Sequence, residues 1–542
     1  MNTADTTSKK KWGIRKKVIF CVIIVIILLL VAGFIGYFIG ENYYGSHFLK
    51  GTTVNGIDVS DMTVEELEQR IQQYTLTVET KDSQGQKRQE KITGSQIGLK
   101  VVSDGDLQNV LDGQQSGKWI SGSGKEYSVS NLTEYDEELW KKAIDGLECF
   151  SEEHIIKPQN AYVKEYDQNS KSFPIVEEVN GNEIDREKAE QLMTAAVVKL
   201  EENVSFGEDY YKKPEVTTQT ESLKAFHEKL NQYANTNIKY TFGENIEELT
   251  GEDICNWLII DFENYQVSLD AERVDKYVSY LRWNYDTIFG TRKFKTSYGT
   301  EVTIEGGDYG WWMNKAEEVA GLTAQIEAGQ SGERKPVYYQ EAAAYGDLDY
   351  GNTYVEINLT AQHLFLYVDG QKVMESDFTS GLPGEHLTPP GTFAVTYTQK
   401  YAYLTGENYR TPVTYWMPFN EDIGMHDATW KTQFGSQFYK SAGSHGCINL
   451  PYNFAKSLFS YVEKGMPVIC YNLSGTESTS VTIQSEEEKA QSVIDAINEI
   501  ATSSRPAKPA EYARALYDHL GSAAKAKVTN YSDLLAYERR NQ

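Results

Sequence analysis

Cysteine is scarce in this chain. There are five among 542 residues, Cys21, Cys149, Cys255, Cys447 and Cys470, with no C-x-x-C pair. That spacing argues against a dense disulfide framework and against a structural zinc site built from paired cysteines. Cys149, Cys255 and Cys470 sit among apolar neighbours and read as buried thiols. Basic charge is scarce as well. The formal net charge is −26, and six of the 52 Lys and Arg residues (Lys9, Lys10, Lys11, Arg15, Lys16, Lys17) fall within the first 40 positions, against one acid there, Asp5. The rest of the chain is therefore more acidic still. A nucleic-acid partner needs a basic footprint for its phosphates, so none is expected, and the acidity reads as a solvated surface.

What is present is a long, ordinary globular composition with one exception. The length predicts three or four domains, and 24% charged with 40% hydrophobic residues places most of it in the folded class. Thirty-seven tyrosines suit β-rich domains and wet surfaces. The exception is Val18 to Ile39, an uncharged apolar run long enough to span a bilayer as a helix. It is too long for the core of a cleaved signal, and Gly36-Tyr37-Phe38-Ile39-Gly40 at its end is a poor cleavage site. Basic residues before it and acidic ones after it predict a retained single-pass anchor, with a cytoplasmic N-terminus and an external body. Trp12, Tyr43 and Tyr44 flank it.

The outer part changes character along its length. Gly51 to Ser60 alternates around Asn55-Gly56, predicting a strand and turn. Thr63 and Glu66 have capping-box spacing at the start of a helix. Two echoes follow. Glu90-Lys91-Ile92-Thr93-Gly94 resembles Glu247-Glu248-Leu249-Thr250-Gly251, and Val179 to Lys188 resembles Val267 to Arg273, an Asp preceding a helix in each. They predict two related α+β modules. From Thr353 short alternating strands appear, with Asp369-Gly370 as a hairpin signal and turns at Gly381-Leu382-Pro383-Gly384 and Thr388 to Phe393. The end of the chain has helical spacing over Ser485–Ile500, over Pro509–Leu520 (Tyr512, Leu516, Leu520) and from Val528.

Ser444-His445-Gly446-Cys447-Ile448-Asn449 is the stretch with the most chemistry. A cysteine nucleophile needs a base to form its thiolate and N–H groups to hold an oxyanion. Two imidazoles compete as base. His445 is two residues away and shares a face with Cys447 if the segment is extended, but Gly446 predicts a turn. His426 lies upstream in Ile423-Gly424-Met425-His426-Asp427. Its second ring nitrogen needs an acceptor to fix the tautomer. Zinc held by His426, His445 and Cys447 is the metal alternative; no metal-site context surrounds it, and none is expected.

The segment from 352 to 472 closely resembles the L,D-transpeptidase catalytic domain, the YkuD-type fold. The resemblance rests on Thr388-Pro389-Pro390-Gly391-Thr392-Phe393, on Tyr415-Trp416-Met417-Pro418-Phe419 ahead of Gly424-Met425-His426, and on seventeen residues between His426 and Ser444. It implies that Cys447 is the nucleophile and His426 the base, with the Asp427 carbonyl as acceptor and the Asp427 side chain as rival. It implies oxyanion N–H groups from His445, Gly446 and Cys447, with Ser444 and Asn449 as supports. Tyr415, Trp416 and Tyr401 are expected as cleft walls. No cofactor is implied. The region ahead of it is similar to peptidoglycan-binding modules, with Val54-Asn55-Gly56-Ile57-Asp58-Val59-Ser60 typical of their opening, and the tail resembles small helical-bundle repeats of bacterial surface proteins.

The expected architecture is multidomain: a basic tail over 1–17, a transmembrane helix over 18–40, α+β modules over 52–230 and 231–350, a mainly-β catalytic domain over 352–472 and a helical tail over 480–542. The resemblance implies an anchored enzyme acting on peptidoglycan stem peptides. Cys447 would attack the third, L-centred residue of a tetrapeptide, release D-Ala, and pass the acyl group to a neighbouring amine as a 3→3 cross-link. It also implies resistance to penicillin-type inhibitors and sensitivity to carbapenems. Transfer to water, as in an L,D-carboxypeptidase, and a non-catalytic wall-binding scaffold are the alternatives.

Overall fold

The computed structural model describes residues 13–102, 105–122, 124–129 and 132–541. Lys9, Lys10, Lys11 and Trp12, from the expected basic tail and membrane flank, lie outside the described residues. The chain forms two compact units, one of residues 1–165 with 174–227, the other of 166–173 with 228–542.

In the first unit the apolar run forms one helix, Ile14–Tyr43, with the large apolar side chains from Val18 to Ile35, and Phe38 and Ile39, exposed. Thirty residues at about 1.5 Å each give about 45 Å, enough to cross a bilayer. Beyond it Thr53–Val54 and Ile57–Asp58 pair around Asn55 and Gly56, both at positive φ (50° and 80°), as a two-residue hairpin turn requires. The Thr63 hydroxyl accepts the Glu66 N–H at 3.1 Å and the Glu66 carboxylate accepts the Thr63 N–H at 2.9 Å, opening helix Val64–Gln72. Strands Thr75–Lys81 and Lys87–Thr93 then form a hairpin, and Asn203–Ser205 returns parallel to the first of them.

The second unit repeats this plan. Ile238–Phe242 and Asn245–Leu249 form a hairpin, and Gly332–Arg334 returns parallel to the first strand. The first sequence echo marks the same place in both, since Thr93 and Thr250 each end the hairpin and cap a helical turn through a capping box. The second echo pairs helices that are not equivalent. The Asp185-capped helix Arg186–Val198 leads into the returning strand, a place taken in the second unit by Lys315–Glu327. The counterpart of the Asp270-capped helix Ala271–Tyr285 is Glu137–Asp145, capped by Asp136. An Asp at an N-cap is a local signal that any helix can carry, so it misaligns repeats.

From Tyr354 the second unit is mainly β. One sheet runs Gln371–Asp377, His363–Val368, Tyr354–Asn358, Pro467–Tyr471, Gly391–Ala394. The other runs Gln399–Gly406, Tyr409–Asn420, Ile423–Asp427, Ile448–Leu450. Their apolar residues meet in one core, including Val355, Ile357, Leu366, Met417, Met425, Ile448 and Val468, with Leu458 from helix Tyr452–Phe459. Asp369 and Gly370 turn at φ 49° and 77°, as their hairpin signal predicts. Tyrosine serves interiors more than wet surfaces here. Tyr240, Tyr309 and Tyr452 are fully buried, with hydroxyls donated to Glu318, the Asp349 carbonyl and Asp495.

The C-terminal helices Glu486–Ile500, Ala507–His519, Ser522–Lys525 and Tyr531–Arg540 pack on this β region. Tyr401 belongs to their core, and Tyr512 lies 5.2 Å from Tyr401 and 4.6 Å from Tyr403 between ring centroids. Tyr401 and Lys400 also meet Glu499. Tyr401 sits at φ 64° and is unpaired in an otherwise unshifted register. Truncating a buried aromatic costs about 3–5 kcal/mol. Tyr512→Ala is therefore expected to lower the urea midpoint of this region and open the Gly406–Tyr409 turn to proteolysis, with Tyr512→Phe like the parent.

Candidate active site

Strand Ile423–Asp427 runs parallel to Ile448–Leu450, with His426 opposite Asn449. Cys447 immediately precedes the second strand, so the register brings it to the same end of the sheet as His426. Both line a cleft of about 290 Å³.

The turn carrying Cys447 is held by its own residues. The Ser444 hydroxyl accepts the Gly446 N–H at 3.1 Å and donates to the Cys447 carbonyl at 2.6 Å. Gly446 sits at φ 115°, a conformation closed to side chains, and a Cβ there would press on Ile423. The Thr388 hydroxyl donates to the Gly446 carbonyl at 2.6 Å and accepts the Gly381 N–H. The Thr-Pro-Pro-Gly turn and the hexapeptide, far apart in sequence, are thus parts of one support. Because the Gly446 N–H is already donated to Ser444, it is not free for an oxyanion, which corrects the expectation of three donors.

His426 is buried, with its ring 5.8 Å from those of Trp416 and Trp430. Its Nδ1 lies 2.9 Å from the Asp427 carbonyl. A carbonyl only accepts, so Nδ1 carries the hydrogen and Nε2 keeps a lone pair. Burial lowers its pKa to about 4, with the Lys431 charge adding to the effect. The Asp427 carboxylate, the rival acceptor, instead takes the N–H groups of Thr414 at 2.9 Å and Tyr415 at 2.8 Å. Burial pushes it up to about 6.

Cys447 donates its S–H to the Asp422 carbonyl at 3.6 Å. Burial pushes the thiol up to about 11, partly offset by the Gly424 N–H. The resting state is therefore thiol and neutral imidazole, not an ion pair. His445 lines the same cleft, its ring between those of His386 at 4.5 Å and Tyr409 at 5.0 Å. The backbone amides of Asn449 and Thr379 exchange hydrogen bonds, while the Asn449 side-chain oxygen is buried, lines the cleft and has no partner among the described residues. Among the described residues no group of three or more His, Cys, Asp or Glu is placed to hold a metal ion.

Three expected wall residues lie elsewhere. Tyr415 is in the core against Tyr452 and Phe459. Tyr401 faces the C-terminal helices. Trp416 is buried behind the site beside His426 and Cys447, its indole N–H on the Tyr397 hydroxyl. The lining instead includes Leu404, Tyr409 and Thr411 from the hairpin and Trp430 and Lys431 from the following loop. Trp430 and Lys431, soon after His426, carried a local signal that sequence reasoning passed over.

A family model of the L,D-transpeptidase catalytic domain matches residues 352–470, and one of a peptidoglycan binding domain matches 216–335. A crystal structure of a cysteine-to-serine mutant of Enterococcus faecium L,D-transpeptidase is 35% identical, covering 45% of this chain and 98% of that one, with a TM-score of 0.38. The catalytic domain from E. faecium L,D-transpeptidase acylated by ertapenem, solved by NMR, is 42% identical over 22% of this chain and 98% of that one, with a TM-score of 0.21. An L,D-transpeptidase from Stackebrandtia nassauensis is 26% identical over 25% and 60%, with a TM-score of 0.20. No curated protein sequence matches.

Alkylation follows the thiolate fraction. With the thiol near 11, iodoacetamide is expected to label Cys447 about 100-fold more slowly at pH 7.5 than an unperturbed thiol, rising about tenfold per pH unit up to 10. Peptide mass spectrometry of the labelled chain measures it; fast labelling at neutral pH would mean a preformed thiolate.

Proposed function

This chain belongs to the L,D-transpeptidase family, and we propose from that premise that it joins peptidoglycan stem peptides through an acyl-enzyme on Cys447. The observation that carries the reading is His426, its Nδ1 tied to the Asp427 carbonyl, in the same cleft as the thiol. The thiol proton leaves its hydrogen bond to the Asp422 carbonyl and passes from sulfur to His426 Nε2 as sulfur attacks the carbonyl of the third stem residue. The N–H groups of His445 and Cys447 hold the developing oxyanion. His426 then protonates the leaving D-Ala amine, and a thioester remains. A neighbouring stem's amine attacks it, giving up a proton through His426 and restoring the thiol, which yields a 3→3 cross-link.

Lys431 suits the donor's end. Its half-buried ammonium lines the cleft, donates to the Ala442 carbonyl at 2.7 Å, and has its pKa lowered by desolvation. A carboxylate on the departing D-Ala would supply the missing counter-charge. The helix Ile14–Tyr43 serves as a retained anchor with the enzyme outside the membrane.

The test is incubation of the full-length chain, in lipid nanodiscs, with disaccharide-tetrapeptide. Mass spectrometry is expected to find a dimer lacking one D-Ala; tripeptide alone would mean that water is the acceptor. Cys447→Ala is expected to abolish product and the ertapenem adduct, and full activity in that variant would sink the mechanism. His426→Ala should lose at least 100-fold in acylation rate and His445→Ala far less. Separately, Lys431→Met is expected to raise KM about tenfold or more for tetrapeptide with little change in kcat, the mark of lost ground-state binding.

A further inference from the structure

We propose that Phe289, Trp312 and Tyr339 form a platform on which the neutral glycan strand of peptidoglycan stacks. The proposal rests on the reading above that peptidoglycan is the substrate, and adds a site remote in sequence from the hexapeptide. The three rings are adjacent and open to solvent. Phe289 is 65% exposed, Trp312 37% and Tyr339 60%. Phe289 and Trp312 lie 6.3 Å apart at 60°, and Trp312 and Tyr339 4.8 Å apart at 52°, so the rings tilt to one another rather than stack flat. An exposed cluster of large aromatics is unusual on a folded surface and marks an interaction site.

The backbone under the platform is built to hold it. Phe289 sits at φ 60°, a conformation that a bulky side chain rarely adopts. Its ring is in water, so no core contact repays that strain; strain of this kind clusters at binding sites. The loop is clamped from below. The Thr287 and Ile288 N–H groups donate to the Trp311 carbonyl. Arg292 donates to the carbonyls of Thr287 at 3.0 Å and Gly290 at 2.9 Å, while bound to the buried Asp349 carboxylate at 2.6 Å. Thr287 donates its hydroxyl to Asp349 and accepts the Trp311 N–H. The buried ion pair therefore fixes the Phe289 loop against the strand that carries Trp312. On that strand Met313 points into the core and Trp312 out.

The occupant follows from chemistry. The peptidoglycan binding domain match, 216–335, includes Phe289 and Trp312. Tilted aromatic faces suit the apolar C–H faces of pyranose rings, and the strand is neutral where N-acetylglucosamine alternates with muramic acids whose carboxyls are amidated by stems. A chain of net charge −26 disfavours anionic wall polymers on the same surface.

The probe is chitin, an insoluble neutral polymer of N-acetylglucosamine without stems, co-sedimented with the full-length chain in lipid nanodiscs. The parent is expected to sediment, and the triple variant Phe289→Ala, Trp312→Ala, Tyr339→Ala to bind at least tenfold more weakly. Turnover of soluble disaccharide-tetrapeptide should stay within twofold of the parent. Phe289→Gly relieves the positive φ, so its melting temperature should equal or exceed the parent's while binding falls at least fivefold. A parent that does not sediment, or variants that bind like the parent, overturn the platform. So does a triple variant that binds glycan like the parent but shifts from dimer to monomer in analytical ultracentrifugation, which makes the rings a self-association surface. Loss of tetrapeptide turnover in the parent strikes the proposed reaction alone, and sedimentation still judges the platform.

Discussion

The site depends on one short parallel pairing, Ile423–Asp427 against Ile448–Leu450. Three residues on the second strand cannot hold a register by themselves, and parallel strands need a crossover to meet. The register is held from outside. Met425, Ile448 and Leu450 are anchored in the core, Thr379 bridges Asn449, and the Asp427 carboxylate fastens the first strand to Thr414 and Tyr415. A one-residue slip would exchange the faces, sending the imidazole inward and Met425 toward the cleft. The crossover itself supplies Trp430, Lys431 and Ser444 to the lining, so the connection that permits the pairing also makes much of the cleft.

Desolvation then sets the chemistry that this geometry allows. Burial pushes the imidazole down and the thiol up, so each group rests neutral. An ion pair formed in advance is disfavoured; charge separation is deferred until sulfur attacks, when the oxyanion donors act in a site poor in water. The same burial acts on stability with opposite signs in adjacent residues. His426, depressed to about 4, contributes stability that is full above its ordinary value near 6.5 and lost as pH falls through about 4. Asp427, raised to about 6, contributes stability that is full below its ordinary value near 3.8 and lost as pH rises through about 6. Between about 4 and 6 the two oppose, and the strand that holds the imidazole is shielded from a steep pH response.

Local signals in the sequence were legible where one residue type has one physical use. Asn55-Gly56 and Asp369-Gly370 turn at positive φ, and Thr63 with Glu66 closes a capping box. The long uncharged run forms a helix, and the mainly-β catalytic region follows from its alternation. What sequence could not locate was the assignment of faces and partners. Tyr401 and Tyr403 face the C-terminal helices while Ala402 and Leu404 face the cleft side, and only the folded tail shows which face is which. Tyr415 fills the core because Tyr452 and Phe459 meet it there, a contact between elements far apart in the chain. Leu404, Tyr409 and Thr411 look like ordinary strand residues until the hairpin is folded over the cleft.

The C-terminal helices gain a physical role from the same hairpin. Strands Gln399–Gly406 and Tyr409–Asn420 place Leu404, Tyr409 and Thr411 at the cleft, yet a two-stranded ribbon is marginally stable in water by itself. Its far side is covered by the tail. Tyr512 lies against Tyr401 and Tyr403, Glu511 accepts the Tyr403 hydroxyl at 3.1 Å, and Glu499 accepts that of Tyr401 at 2.8 Å. The tail is fastened in turn to the body of the β region. Val481–Ile483 pairs with Gln433–Gly435, and Asp495 takes Tyr452 and Lys456. A helix bundle with no chemistry of its own thus fixes one wall of the cleft.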